Sequence, residues 1–285
     1  MASAALRPVE SMRREASAIS AAEPGRRLPV PPARDELARL STTLNDMLAR
    51  LEAAIARERS FVSNASHELR TPLSLLKTEL ELALAMERPA PELRAALRSA
   101  AVETDRLAQL AEDLLVLARS DQGRLQIRSE AIGIDQVLED VRERFARRAA
   151  DLGREIAVEA PSDLTVAIDR LRLEQALSNL VENALRHGSG PVTMHADRGG
   201  DSQVEIHVLD DGPGFTADFI PRAFERFTRS DESRSEDGAG LGLAIAAVIA
   251  RAHGGSIRAA NRDSGGADVC ISLPSRLPGR KILTS

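Results

Sequence analysis

Residues 61–73 read Phe61-Val62-Ser63-Asn64-Ala65-Ser66-His67-Glu68-Leu69-Arg70-Thr71-Pro72-Leu73. Through and beyond this run, Ser63, His67, Arg70, Ser74, Lys77 and Glu81 recur at alternating spacings of four and three, one polar stripe of a helix. Phe61, Ala65, Leu69, Leu73, Leu76, Leu80 and Ala83 form the opposing apolar stripe. The pattern predicts a helix that packs one face and presents His67 to solvent on the other. An exposed imidazole beside the Glu68 carboxylate can act as a nucleophile, because histidine titrates close enough to neutrality that much of it is unprotonated. Pro72 removes one helical hydrogen bond and crowds the carbonyl four residues back, so a kink or loosening is expected just past His67.

Residues 66–73, Ser-His-Glu-Leu-Arg-Thr-Pro-Leu, resemble the H-box of sensor histidine kinases at every defining position. The resemblance implies that His67 is the phospho-accepting histidine and that Glu68 orients its imidazole or takes its proton. The spacing His67-Glu68-x-x-Thr71 is similar to the phosphatase signature of the same family, which implies a catalytic part for Thr71.

The chain has 285 residues, too long for one ordinary core, so two or three domains are expected. Only 2% of residues are aromatic, with no Trp or Tyr, so the cores must be built from Leu, Ala, Val and Ile, which suits helical bundles. A net charge of −5, spread through segments of mixed sign, offers no basic footprint for nucleic acid. The single Cys270 excludes an internal disulfide and a Cys-based metal cluster, and is expected as a small apolar strand residue. No apolar run reaches the ~18 residues a membrane span needs, and no secretory signal opens the chain.

Upstream of the opening stretch, Leu6, Val9, Met12, Ala16 and Ile19 describe a short amphipathic helix. Pro24-Gly25 ends it, and Leu28-Pro29-Val30-Pro31-Pro32 must be extended. Asp35-Glu36 then opens a second helix with Leu37, Leu40, Leu44, Met47, Leu51 and Ile55 on its apolar side, the acids suiting the positive end of its dipole. Two heptad helices joined by an extended connector with two buried apolar residues resemble a HAMP signal-relay domain, on the positions Pro8, Glu10 and Asp35-Glu36-Leu37. In histidine kinases that domain follows the last transmembrane helix. The resemblance therefore implies the cytoplasmic portion of an inner or plasma membrane protein, with sensor and membrane spans preceding this sequence.

The second helix is expected to run on into the His67 helix and to stop near Pro89 and Pro91. Leu93, Leu97, Ala100, Thr104, Leu107, Ala111, Leu114 and Ala118 mark another helix at heptad spacing. One such hairpin buries only one side of each helix. Two hairpins from two chains complete a four-helix bundle, so a homodimer is expected. Gly123 marks a hinge. Beyond it the pattern predicts helices at 134–150, 170–187 and 241–253, with strands at 155–160, 164–169, 192–196, 203–210, 256–260 and 267–273. Mostly antiparallel strands with helices indicate a two-layer α+β sandwich.

Three motifs fall in that layer. Asn179, Asn183 and Arg186, spaced i, i+4, i+7, put two amides and a cation on one helix face, over a buried side of Leu173, Leu177, Leu180 and Ala184. Amide oxygens suit Mg²⁺ and a guanidinium suits phosphate; alone, the pair is also an ordinary polar face. Asp210-Asp211-Gly212-Pro213-Gly214-Phe215 ends an alternating strand, where Asp210 can accept from an adenine amino group and the glycines admit a close base. Alone it is a common turn. Gly238-Ala239-Gly240-Leu241-Gly242-Leu243 opens a helix whose N-terminus can face phosphates; it is not a Rossmann fingerprint, since no βαβ unit precedes it. Four of the six Phe residues fall at 215–227 and are expected to anchor a lid whose loose part is residues 230–237.

In their joint order these motifs resemble the N, G1, F and G2 boxes of the histidine kinase ATP-binding domain, a Bergerat (GHKL) fold in the superfamily of gyrase and MutL ATPases. The resemblance implies adenine on Asp210, Mg²⁺ on Asn183 with Asn179 supporting, and phosphates on the 238–242 loop. It further implies nucleotide contacts from Arg186, His187, Gly212, Gly214, Arg229, Gly238, Gly240, Leu241, Gly242 and Leu243. Arg186 stands where the family often has Lys. His195 and His207 lie in strands without Cys or carboxylate partners at metal spacing, so no metal is expected there, and His253 is expected to cap a helix.

The expected division is a HAMP domain (1–56), a dimerisation and phosphotransfer domain (57–120), a hinge (121–129), a catalytic domain (130–276) and a tail (277–285). The implied activity is ATP-dependent autophosphorylation of His67 and transfer to an aspartate of a response regulator receiver domain. A dimeric scaffold that binds ATP without transferring it is the alternative, disfavoured by the intact His67 and Glu68. A gyrase-type clamp would lack the hairpin.

Overall fold

A computed structural model of the chain describes residues 7–18, 25–31, 36–85, 89–200, 203–229 and 239–275. The chain forms two compact units, Met1–Arg70 and Thr71–Ser285. In the first, helix α1 (Arg7–Ala18) is followed by the extended connector 25–31 and by the first part, to Arg70, of α2 (Glu36–Ala85). Met12 is buried and accepts the Ser41 hydroxyl at 3.4 Å on its sulfur. Asn45 grips the connector as a strand would, accepting the Leu28 N–H at 2.8 Å and donating to the Leu28 carbonyl at 3.0 Å. Glu52 accepts the Gly25 N–H and both arms of Arg27, which hold its carboxyl down at about 2. Two buried apolar connector residues were expected. Leu28 is buried, but Val30 stays 53% exposed, because Asn45 fixes the chain at Leu28 alone.

The helix α2 contains Pro72 and is not interrupted by it. The ring is buried, so the packing it gains offsets the lost hydrogen bond, and the expected loosening does not appear as a break in the helix. Ser63, His67, Arg70, Ser74, Lys77 and Glu81 are all exposed, as their stripe requires. On the apolar stripe Leu73 remains 58% exposed, so a single chain does not cover it.

In the second unit, α3 (Ala90–Asp121) starts directly after Pro89, whose extended backbone cannot continue a helix. The cleft between it and the end of α2 is lined by Glu79, Leu82, Glu92, Ala95, Ala96 and Ser99. Near its other end Asp113, Val116 and Leu117 are buried. Gly123 turns the chain out of the helix at φ 63°. The segment expected as a hinge is tied down: Arg226 forks onto Asp121 at 2.5 and 2.6 Å, and the Arg128 N–H donates to Asp169.

Strand β1 (Glu130–Gly133) pairs antiparallel with β3 (Thr165–Ile168). The sequence reading missed β1, a four-residue strand too short to show alternation. A five-stranded sheet has the order β2-β4-β5-β7-β6, from β2 (Ile156–Glu159), β4 (Val192–Gly199), β5 (Gln203–Leu209), β6 (Ser256–Asn261) and β7 (Ala267–Pro274). Among the described residues only β2 and β4 run parallel. Met194, Ala196, Val204, Ile206, Val208, Val269, Ile271 and Leu273 make its buried face. Helices α4 (Ile134–Asp151), α5 (Arg170–His187) and α6 (Gly242–Ala252) cover that face and complete the two-layer α+β sandwich. Residues 243–250 of α6 are buried all round, because α6 packs on α5, on β6 and β7, and against α3.

Asp113 sits where α3 meets α5, accepting from Gln109 at 2.9 Å and Gln175 at 3.3 Å. Burial pushes its carboxyl up to about 6, against these two donors. A carboxyl raised above its unfolded value stabilises the fold when protonated, and that contribution disappears as pH rises from about 4 through about 6. Asp113→Asn is therefore expected to be more stable than the parent at pH 7, by up to roughly 3 kcal/mol, and no more stable at acid pH. Urea unfolding of both proteins across that range checks it.

Candidate nucleotide site and phospho-acceptor helix

Three segments meet around Asp210. Helix α5 begins because the Asp169 carboxylate accepts the Arg172 N–H at 3.2 Å, and it buries Leu173, Leu177, Leu180 and Ala184. Its far end is closed by Arg154, whose guanidinium donates to the carbonyls of Ala184 (2.9 Å), Leu185 (3.1 Å), Gly188 (3.2 Å) and Ser189 (2.9 Å). A cation on the last carbonyls suits the negative end of the helix. Sequence reading missed Arg154, a single arginine in a turn with no local pattern. Strand β5 delivers Asp210 beside this end, and the turn between β6 and β7 supplies Arg262, which donates to the Asp210 carbonyl at 3.0 Å. The Asp210 N–H donates to the Ala267 carbonyl at 3.1 Å.

Asp210 is buried, and its Oδ1 accepts the Gly212 N–H at 2.7 Å. Burial pushes its carboxyl above the ordinary carboxylate range, opposed by that N–H and by the charge of Arg154. A carboxylate retains lone pairs for a further donor such as an exocyclic amine. Gly212 has no room for a side chain: a Cβ would lie 2.6 Å from the Gly188 Cα. Asn261 pins the following turn, accepting the Phe215 N–H and donating to the Phe215 carbonyl, both at 2.7 Å. Phe215 and Phe219 stack at 5.6 Å.

The start of α6 lies against Asn179, since a Cβ on Gly242 would come 3.5 Å from the Asn179 Cβ. Asn179 Nδ2 is buried and has no partner among the described residues. An orphaned donor costs about 1–3 kcal/mol, which a phosphate oxygen or water would recover. The first N–H groups of α6 lack intrahelical partners by construction. Gly240 adopts φ 64°, and its carbonyl accepts the N–H of Phe227, which itself takes φ 58°. Arg229 is half-buried. Gly238 and residues 230–237 lie outside the described residues.

Leu241 and Leu243 are buried, so only their backbone can meet a nucleotide. Asn183 is half-buried on the same helix as Asn179, and His187 is exposed. Arg186 pairs with Glu182 at 3.1 Å, and Arg148 pairs with the same carboxylate at 2.7 Å. His253 caps α6 as expected, bonding the Ile249 carbonyl through Nδ1 at 2.8 Å. Its Nε2 also accepts the Asp169 N–H at 3.0 Å, a link to the start of α5 that no sequence spacing showed. On α2, His67 is exposed and Glu68 half-buried, with Thr71 exposed one turn on.

Residues 168–277 match the family described as histidine kinase-, DNA gyrase B- and HSP90-like ATPase. Residues 57–123 match the His Kinase A (phospho-acceptor) domain, and residues 1–53 the HAMP domain. Over 219 residues the chain is 43% identical to "Probable sensor histidine kinase HK" of Mycobacterium tuberculosis, covering 76% of this chain and 53% of that one. Over 290 residues it is 36% identical to the signal transduction histidine-protein kinase/phosphatase MprB of Mycolicibacterium smegmatis, covering 99% and 58%. The solved structure of the Acinetobacter baumannii histidine kinase AdeS shares the fold, with TM-score 0.59 and 24% identity over 73% of this chain and 98% of that one. The chain thus spans just over half the length of the curated relatives it matches.

The fold is that of the ATPase layer shared by histidine kinases, DNA gyrase B and HSP90, and it follows a segment that matches the phospho-acceptor domain. The chain belongs to the sensor histidine kinase family.

Proposed function

We propose that this chain is the cytoplasmic signalling portion of a membrane-attached sensor histidine kinase. It phosphorylates His67 from ATP and passes the phosphoryl group to an aspartate of a response regulator receiver domain. The observation that carries the reading is one helix, α5, that sets buried Asp210 against its end at Gly188 and its orphaned Asn179 amide against the start of α6, in a chain that also exposes His67 beside Glu68. In this reading Asp210 accepts from the adenine amine and the N-terminus of α6 faces the phosphates. Gly212, Gly214 and Gly240 let the backbone approach, and Arg229, Arg186 and His187 line the rim. The amide oxygen of Asn183 would hold Mg²⁺ with Asn179 beside it, the ion supplying charge neutralisation on the phosphates. An imidazole nitrogen of His67 attacks the γ-phosphorus, the bond to the β–γ bridging oxygen breaks, and ADP leaves. Glu68 orients the ring and relays its proton to solvent.

The uncovered leucines of α2 and α3 support a homodimer in which two hairpins close a four-helix bundle. The HAMP match supports membrane attachment; among the described residues no helix is long and apolar enough to cross a membrane. Incubation of the full chain with ATP labelled on the γ-phosphate tests the proposal. It should yield an acid-labile, base-stable phosphoprotein.

Thr71 lies one helical turn beyond His67 and is exposed, so its hydroxyl can hold a water against a phospho-aspartate without joining the attack on ATP. The MprB relative, named kinase/phosphatase, favours this role. Thr71→Ala is expected to keep autophosphorylation and lose most dephosphorylation of a cognate receiver domain. Parallel loss of the two rates would instead mark Thr71 as a structural residue that bonds back along its helix.

A further inference from the structure

The outer face of the five-stranded sheet, turned away from the three helices, carries a second cluster of reactive side chains. Neither the nucleotide site nor the phospho-acceptor helix uses it. Cross-strand register sets His207 of β5 beside Cys270 of β7, and Glu205 beside Ser272. The expectation that His207 lacks Cys and carboxylate partners is therefore overturned: they come from register between strands, which spacing along the chain cannot display. One ligand atom from each of Glu205, His207 and Cys270 lies within 4.8 Å of the others.

We propose that Glu205, His207 and Cys270 form a binding site for a thiophilic divalent transition-metal ion of the zinc class. Imidazole, thiolate and carboxylate are the donors such an ion takes. The surroundings are arranged for it. His207 turns Nε2 toward Glu205 Oε2 at 3.7 Å, while its Nδ1 bonds Asp268 Oδ1 at 2.9 Å. A carboxylate on the far nitrogen of a ligating histidine fixes the ring and strengthens the nearer nitrogen as a donor. Ser272 holds the other side, donating to Glu205 Oε1 at 3.4 Å. His195, whose ring centre is 6.1 Å from that of His207, is drawn to Glu159 and Asp197 and stays outside the group.

A tetrahedral ion with bonds of about 2.0–2.3 Å spaces its ligands about 3.3–3.7 Å apart. His207 Nε2 and Glu205 Oε2 already stand at that spacing, 3.7 Å, and Cys270 completes the set within 4.8 Å. Cys270 is buried and Glu205 is 33% exposed, so the ion enters from the Glu205 side. Three protein ligands leave a fourth position for water. Binding displaces the thiol proton of Cys270 and the proton on His207 Nε2, both to solvent, so affinity falls in acid. The competing reading is a closed ion-pair cluster in which Asp268 pushes the His207 imidazole up to about 10 and the imidazolium simply bridges two carboxylates.

Titration of the chelator-treated full chain with Co²⁺, without nucleotide, separates the two. One equivalent is expected to bind with a thiolate-to-cobalt charge-transfer band that Zn²⁺ abolishes. Cys270→Ser and His207→Gln should lose the band. Glu205→Gln, an isosteric change of a side chain open to solvent, should fold normally and weaken Co²⁺ binding by roughly tenfold or more. Asn183→Ala should keep the band, which separates this site from the nucleotide pocket. Absence of a thiolate band in the folded parent overturns the proposal, as does Co²⁺ affinity that His207→Gln and Glu205→Gln both leave unchanged.

Discussion

His67→Gln is expected to reduce phosphoryl incorporation from ATP to background while leaving nucleotide affinity at the parent value. Residue 67 stands on the exposed stripe of α2, where the substitution removes a nucleophile from an exposed face. The side chains proposed to meet the nucleotide come from α5, β5 and the start of α6, far along the chain. The effect should therefore fall on chemistry and spare binding, the pattern of a group that acts only in the transition state. Labelling and calorimetric ATP titration on the same preparation separate the two quantities. Labelling that survives in His67→Gln removes His67 as the acceptor. Lost labelling together with lost ATP binding would show a folding defect instead, which the thermal midpoint would reveal.

Asp210→Asn is expected to fold as well as the parent and to bind ATP about ten- to a hundredfold more weakly, the cost of one buried hydrogen bond of about 1–3 kcal/mol turned repulsive. The asparagine oxygen can still accept the Gly212 N–H that now meets Oδ1 at 2.7 Å. Burial already disfavours the ionised carboxyl, so a neutral isostere costs the fold little. What changes is the group offered to the base: an amide N–H₂ placed against the adenine amine sets donor against donor. Asn183→Ala should act differently, lowering the Mg²⁺ dependence of binding and of turnover. Calorimetry at saturating Mg²⁺ distinguishes them. Parent-like ATP affinity in Asp210→Asn would remove the adenine contact from this residue.

Local chemistry made much of this protein legible before any coordinates. Alternating spacings of four and three around His67 fixed a helix with one polar face, and residues 170–187 and 203–209 adopt the helix and strand their periodicities predict. The glycines at 212, 214, 240 and 242 marked close backbone approaches, and the structure brings Gly212 against Gly188 and Gly242 against Asn179. Where the reading fell short, the deciding contact was remote. Pro72 should loosen α2 by its own stereochemistry, but its ring is buried and the helix continues. Val30 and Leu28 look alike in sequence; Asn45, 17 positions on from Leu28, decides which one is buried.

The sequence by itself determined most of the elements and their order, and which residues are candidates to meet a nucleotide or accept a phosphoryl group, because capping, periodicity and glycine placement act over a few residues. Tertiary structure alone decided the strand order β2-β4-β5-β7-β6, with a parallel pair at one edge. It also decided that Arg154 closes the end of α5 beside Asp210, that His253 reaches the start of the same helix, and that Cys270 faces His207. These contacts join residues dozens of positions apart. Their partners are chosen by which apolar faces must be buried together, and only the assembled sheet and helices satisfy that condition for all of them at once.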